Sequence, residues 1–143
     1  MNLQWTDSID DIDWTELSEM YRLAPLGNKS PEWLRTAFSN SMFKCLARDA
    51  GRLVAAGRAV ADGVDCSYLC DIAVHPAHQG AGLGREVIQR LVNRSCGHRK
   101  ILLYAVPGKE AFYQRFGFRR MRTAMAIFEH PQQAAEHGYI DEA

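Results

Sequence analysis

The stretch from Tyr68 to Ile88, Tyr-Leu-Cys-Asp-Ile-Ala-Val-His-Pro-Ala-His-Gln-Gly-Ala-Gly-Leu-Gly-Arg-Glu-Val-Ile, constrains the fold more than any other. Its first part is apolar and β-prone, and His75-Pro76 stops it. Gly80, Gly82 and Gly84 follow, after which Leu83, Val87, Ile88 and Leu91 recur at helical spacing. The pattern predicts a strand, a tight glycine turn and a helix. Glycines let backbone N–H groups approach an anion closely, and the helix they open turns unpaired donors and the positive end of its dipole toward the same spot. The turn therefore reads as a phosphate cradle.

The flanking chain supplies the elements such a unit must pack against. Leu3 and Trp5 predict a first strand. Trp14, Leu17, Met20 and Tyr21 recur at spacings of three and four behind Asp10, Asp11 and Asp13, which predicts a capped amphipathic helix. Ala24 to Lys29 break it, and Ser30-Pro31-Glu32 restart a helix with Trp33, Leu34, Ala37 and Phe38 on its apolar stripe. Residues 42–48 and 52–61 read as strands joined by Asp49-Ala50-Gly51, and Asp62 to Asp65 turn back into the strand before the glycines. After the glycine helix, Gly97 precedes a buried strand at Lys100–Val106. A short helix is expected at Lys109–Phe116. A closing hairpin is expected from Phe118, with Met121 to Glu129 completing the sheet, and 130–143 is expected as a loosely docked tail.

At 143 residues and 47% apolar composition, the whole of 1–143 is expected to be one domain. Seventeen basic and seventeen acidic residues cancel, so nothing global favours nucleic acid or an anionic membrane as partner. The acidic N-terminus lacks the basic and apolar regions of a signal peptide, and a cytoplasmic location is expected. Cys45, Cys66, Cys70 and Cys96 show no C-x-x-C spacing and are expected as reduced core thiols, with no metal.

Two motifs resemble those of the GNAT superfamily of acyl-CoA-dependent N-acyltransferases. Gln79-Gly80-Ala81-Gly82-Leu83-Gly84 is similar to that family's Arg/Gln-x-x-Gly-x-Gly/Ala loop, and Phe112-Tyr113-Gln114-Arg115-Phe116-Gly117-Phe118 is similar to its late Tyr-x-x-x-Gly-Phe signature. The order of elements agrees from about residue 3 to residue 129. The resemblance implies an α/β (α+β) GNAT fold: one mixed, mostly antiparallel sheet of about six to seven strands with about four helices, splayed between the fourth and fifth strands. It also implies acetyl-CoA as cosubstrate, an amine acceptor as the second partner, and direct transfer between them. A homodimer is left open.

On that resemblance, Gln79, Gly80, Ala81, Gly82, Leu83, Gly84 and Arg85 would hold the pyrophosphate of coenzyme A. A bulge before the loop would turn the backbone of Ile72, Ala73 and Val74 toward the pantetheine amides and the thioester. Tyr113 would protonate the departing thiolate, since a phenol stays protonated at neutral pH. The base is open: Asp71, the only carboxylate in the strand, comes first, then His75, then water relayed by Tyr68 or Cys70. Asp71 could equally hydrogen-bond a neighbouring loop or orient the substrate. Strand alternation does not say which face carries the base, because a bulge disturbs the register. Where many members have a cofactor-binding asparagine, this chain has Pro107-Gly108-Lys109-Glu110, which puts Lys109 forward either as a phosphate partner or as a solvated helix end. The acceptor itself is not legible. A small-molecule amine, a protein or peptide amine, and a non-catalytic acyl-CoA sensor all fit the same motifs.

Overall fold

The computed structural model describes residues 1–143, which form two compact units, Met1–Leu103 and Tyr104–Ala143. In the first unit the strands are β1 (Leu3–Thr6), β2 (Phe43–Asp49), β3 (Arg52–Ala61), β4 (Cys66–Val74) and β5 (Lys100–Leu102), hydrogen-bonded in sequence order. The first four pair antiparallel, as the short turns from β2 to β3 and from β3 to β4 require of those two pairs, and β4 pairs parallel with β5. The chain between β4 and β5 forms α3 (Leu83–Arg94), while α1 (Trp14–Leu23) and α2 (Pro31–Ser39) lie between β1 and β2. Both early helices start as their sequences dictate. Asp13 accepts from the amides of Thr15 and Glu16 at 3.0 and 3.1 Å, and Ser30 accepts from Trp33 at 3.1 Å with Pro31 in the first helical position.

The two helical layers cover opposite faces of the sheet. Leu17, Met20 and Tyr21 of α1 and Leu34 and Phe38 of α2 are buried in one cluster with Leu46, Leu53, Ala56 and Ala73. The neighbouring residue on β3, Gly57, points to the other side, where a Cβ would lie 2.6 Å from Val87 Cγ1 of α3 and 2.7 Å from Ile72 Cδ1. Only a residue without a side chain lets α3 sit this close. Gly57→Ala is therefore expected to lower stability by about 1–3 kcal/mol through overpacking. Guanidinium unfolding would read this as a lower midpoint, and an unchanged midpoint would show that α3 accommodates the methyl.

Between β3 and β4 the register slips. Arg58 pairs with Cys70 and Ala56 with Ala73, so Asp71 and Ile72 stand opposite the single residue Gly57. This is the β-bulge the family resemblance implied, and Asp71 takes a left-handed backbone, φ 57°, that a non-glycine residue seldom adopts. On the other edge, β4 meets β5 only from Cys66 to Tyr68, so the ladder ends before Leu69–Val74.

The sheet has five strands, not the expected six to seven, and there are five α-helices rather than four. The fifth strand stops at Leu102 instead of Val106. No residue from Phe118 to Glu129 is in a strand, and Met121 to Ile127 are all exposed. The apolar spacing of Met121, Met125 and Ile127 fits a strand, but a strand exists only through pairing with a neighbour, and three-residue β5 offers little edge. In the second unit, α4 (Glu110–Gln114) and α5 (Pro131–Glu136) accompany a cluster of Tyr104, Phe128 and Tyr139, whose ring centroids lie 5.4–6.2 Å apart.

Candidate active site

The glycine turn folds as its sequence requires. His75 begins a short 3-10 turn, Pro76–His78, with its Nδ1 accepting from the Ala77 amide at 3.1 Å; its ring thus serves the turn. His78 ties the same turn to the end of β2 through Asp49, 2.9 Å away. The Gln79 side chain donates back to the Val74 carbonyl at 3.3 Å. Gly80 and Gly82 have φ values of 88° and 79°, and a Cβ on either would meet nothing within 4 Å. Their need for glycine is thus conformational, and the space over them is open.

Gly82 is the N-cap of α3 and offers no side chain to its amides; Glu86 is the first residue to bond back to it. The amides of Leu83, Gly84 and Arg85 accordingly lack intrahelical acceptors, at the end of a twelve-residue helix where the dipole is positive. Ala81 and Arg85 are exposed beside them. Open space, free donors and a positive dipole suit a pyrophosphate. Ile72, Ala73 and Val74 lead into this turn along the edge of β4 that β5 has left.

The bulge also decides where Asp71 points. Ile72 faces α3, and the Asp71 side chain lies on the opposite side, among groups of α1 and the α1–α2 loop. Its Oδ2 accepts from Arg58 Nε at 2.7 Å, while Lys29 Nζ lies 3.9 Å from Oδ1. The Tyr21 hydroxyl donates to the Asp71 carbonyl oxygen at 2.6 Å. Tyr21 is fully buried, and burial together with the Asp71 charge raises its pKa well above the phenol range, so it remains a donor. Arg58 donates in turn to Ser41 Oγ at 3.2 Å, and Ser41 to the Ala37 carbonyl at 2.7 Å. Burial alone would lower the Arg58 pKa, but the hydrogen bond to Asp71 and the charge of that carboxylate raise it overall. The left-handed residue is held at its backbone by Tyr21 and at its carboxylate by Arg58. The sequence does carry a signal for Arg58: a lone cation in the apolar run Leu53 to Ala61, one strand away from the lone acid of β4.

Cys70 is half-buried, and burial pushes its thiol up to about 11, which leaves almost no thiolate for nucleophilic work. Cys45 is buried and pushed up to about 12 by the same cause. Cys96 is exposed just beyond α3, so the expectation of core thiols fails there; its place in a helix-ending turn, rather than in a strand, explains the difference. No helix is long and apolar enough to cross a membrane.

In the second unit, Tyr113 lies on α4, half-buried, with its ring edge-on to Phe112 at 5.1 Å and Phe118 at 6.3 Å. Burial raises its pKa above the usual phenol value, with a smaller contribution from Tyr139, so its proton is retained through neutral pH. Lys109 is exposed at the N-cap position of the same helix. The structure thus joins Asp71, the free edge of β4 and the glycine turn in one continuous segment, and places Tyr113 with Lys109 on another.

Comparison with known proteins agrees with this geometry. The Acetyltransferase (GNAT) family model matches residues 6–118. A serotonin N-acetyltransferase 2, chloroplastic, from Oryza sativa subsp. japonica is 37% identical over 131 residues, an alignment covering 85% of this chain and 66% of that protein. The chain therefore spans just under two-thirds of that relative's length. Among solved structures, a GNAT family acetyltransferase from Streptococcus pneumoniae TIGR4 superposes with a TM-score of 0.73 at 19% identity, over 89% of this chain and 98% of that one. A GNAT family acetyltransferase from Brucella melitensis, in complex with acetyl-CoA, superposes with a TM-score of 0.65 at 21% identity, over 83% and 84%. The structural likenesses show the fold, and the family match extends from β1 through the late tyrosine motif: the chain belongs to the GNAT acetyltransferase family.

Proposed function

We propose that the protein transfers the acetyl group of acetyl-CoA to a primary amine of a small molecule. One observation carries the reading: an uncapped helix N-terminus, entered through left-handed Gly80 and Gly82, directly follows a bulged strand whose edge is free. The amides from Gly80 to Arg85 would bind the pyrophosphate, with Gln79 fixing the turn and Lys109 a further phosphate partner. Along the edge of β4 that β5 does not cover, the backbone of Ile72, Ala73 and Val74 would orient the pantetheine arm and polarise the thioester carbonyl. The amine nitrogen then bonds to the carbonyl carbon, the carbon–sulfur bond breaks, and Tyr113 gives its proton to the thiolate. Asp71, with Oδ2 committed to Arg58, keeps Oδ1 for the incoming ammonium and accepts the proton it sheds. Support for a small acceptor comes from the rice relative's name.

Thiol release from acetyl-CoA should rise when a suitable primary amine is added, and mass spectrometry should show the amine heavier by one acetyl group. Tight acetyl-CoA binding with no thiol release across a broad amine panel would replace this reading with that of an acyl-CoA-binding module.

A further inference from the structure

Lys29 occupies an unusual position. Its ammonium donates to the Leu26 carbonyl at 2.6 Å and lies 3.9 Å from Asp71 Oδ1. It also sits 5.9 Å from the ring centre of Tyr21 and 5.4 Å from that of Trp33. A carbonyl, a carboxylate oxygen and two aromatic faces are what any primary ammonium seeks. The contact with Oδ1 is too long for a hydrogen bond, so that oxygen is approached without being committed. The main chain of Lys29 is pinned, because Ser18 Oγ donates to its carbonyl at 2.5 Å. Its side chain is held only at the ammonium, by one hydrogen bond to Leu26 and the longer contacts with Asp71 and the two rings; when these are exchanged for those of another ammonium, the four-carbon stem can swing outward through a loop whose Pro25, Gly27, Asn28 and Ser30 are exposed.

We propose that the place filled by the Lys29 ammonium is the acceptor's ammonium site, and that Lys29 is a resident competitor which selects the class of amine admitted. The proposal rests on the reading that Asp71 faces the acceptor. Charge then sets the specificity. With Lys29, Arg58 and Asp71 together the site carries one net positive charge, and a monocationic amine that displaces Lys29 leaves this sum unchanged. An acceptor bearing its own carboxylate or phosphate would also bring that anion beside Asp71 while sending a cation away. Trp33, 47% exposed, offers the remaining ring surface to an apolar or aromatic body. The favoured class is thus a monocationic amine on an apolar or aromatic frame.

Tryptamine and tryptophan test this on the full chain, since they share ring and amine and differ by one carboxylate. Removing a competitor raises apparent affinity by the inverse of the fraction of time the site is free. Lys29→Met should therefore lower both the Kd and the KM for tryptamine by about five- to ten-fold. Asp71→Asn should raise them about ten-fold or more, with acetyl-CoA affinity within about two-fold of wild type in each. Tryptophan should bind the wild-type protein more weakly than tryptamine. If Asp71→Asn fails to fold, Lys29→Met decides alone, because it alters only a loop side chain. Unchanged or weakened tryptamine binding in Lys29→Met, or binding to neither protein, overturns the proposal. Tighter binding in that variant with no thiol release would keep the ammonium site and refute acetyl transfer. Thiol release with an unchanged tryptamine KM would do the reverse.

Discussion

Tyr113→Phe is expected to lower kcat about 100-fold or more while leaving the Kd for acetyl-CoA within about two-fold, as removal of a general acid does. The substitution keeps the ring, and so keeps the edge-on contacts with Phe112 and Phe118 that hold α4 together. What is lost is the hydroxyl alone. A thiolate leaving without a proton donor must be expelled as the anion, and the barrier rises accordingly. The pH profile supplies a second readout. Because burial raises the Tyr113 pKa over that of an ordinary phenol, the protonated, active form should persist through neutral pH and give way only above the ordinary phenol range. The phenylalanine variant should lose that alkaline limb. Full turnover by the variant would mean that Tyr113 is a packed aromatic, and the proton would have to come from water.

How much of this could be read from the sequence depended on how local each signal was. Asp13 and Ser30 cap their helices because a side-chain oxygen three residues before an amide suffices, and the sequence states both. The glycine turn was equally legible, since left-handed φ values at Gly80 and Gly82 and an uncapped α3 need nothing beyond the turn itself. The bulge came from family resemblance, and its consequence for Asp71 did not follow from alternation, because an inserted residue resets which face each side chain takes. The partners of Asp71 were less visible still. Tyr21 is separated from it by 50 positions and Arg58 by 13, so their meeting is a product of the fold. Trp33 shows the limit of spacing arguments in the other direction: it sits on the apolar stripe of α2 yet is 47% exposed. Residues 118–129 failed for the same physical reason, because alternation describes a chain that could pair and says nothing about whether an edge awaits it.

Gly82→Val is expected to weaken acetyl-CoA binding about 100-fold or more, through loss of hydrogen bonds to charged phosphate oxygens. Nothing lies within 4 Å of a Cβ at this position, so a collision in the free protein is not the cause. The cause is the backbone: φ is 79°, and a β-branched residue there pays a steric cost that is relieved by rotating the turn. Rotation redirects the amides of Leu83, Gly84 and Arg85, the donors that α3 leaves without partners. A valine methyl would in addition stand in the open space that an anion needs. Gly82→Asn separates the two effects, because asparagine tolerates the left-handed region and should keep the amides in place. Its side chain still projects into the cradle, so its Kd should fall between wild type and valine. The buried face of α3, Leu83, Val87, Ile88 and Leu91, is untouched by either change, and both variants should melt within a few degrees of wild type. Calorimetric titration with acetyl-CoA would check the order. Wild-type affinity in Gly82→Val would place the pyrophosphate elsewhere and remove the glycine turn from the active site.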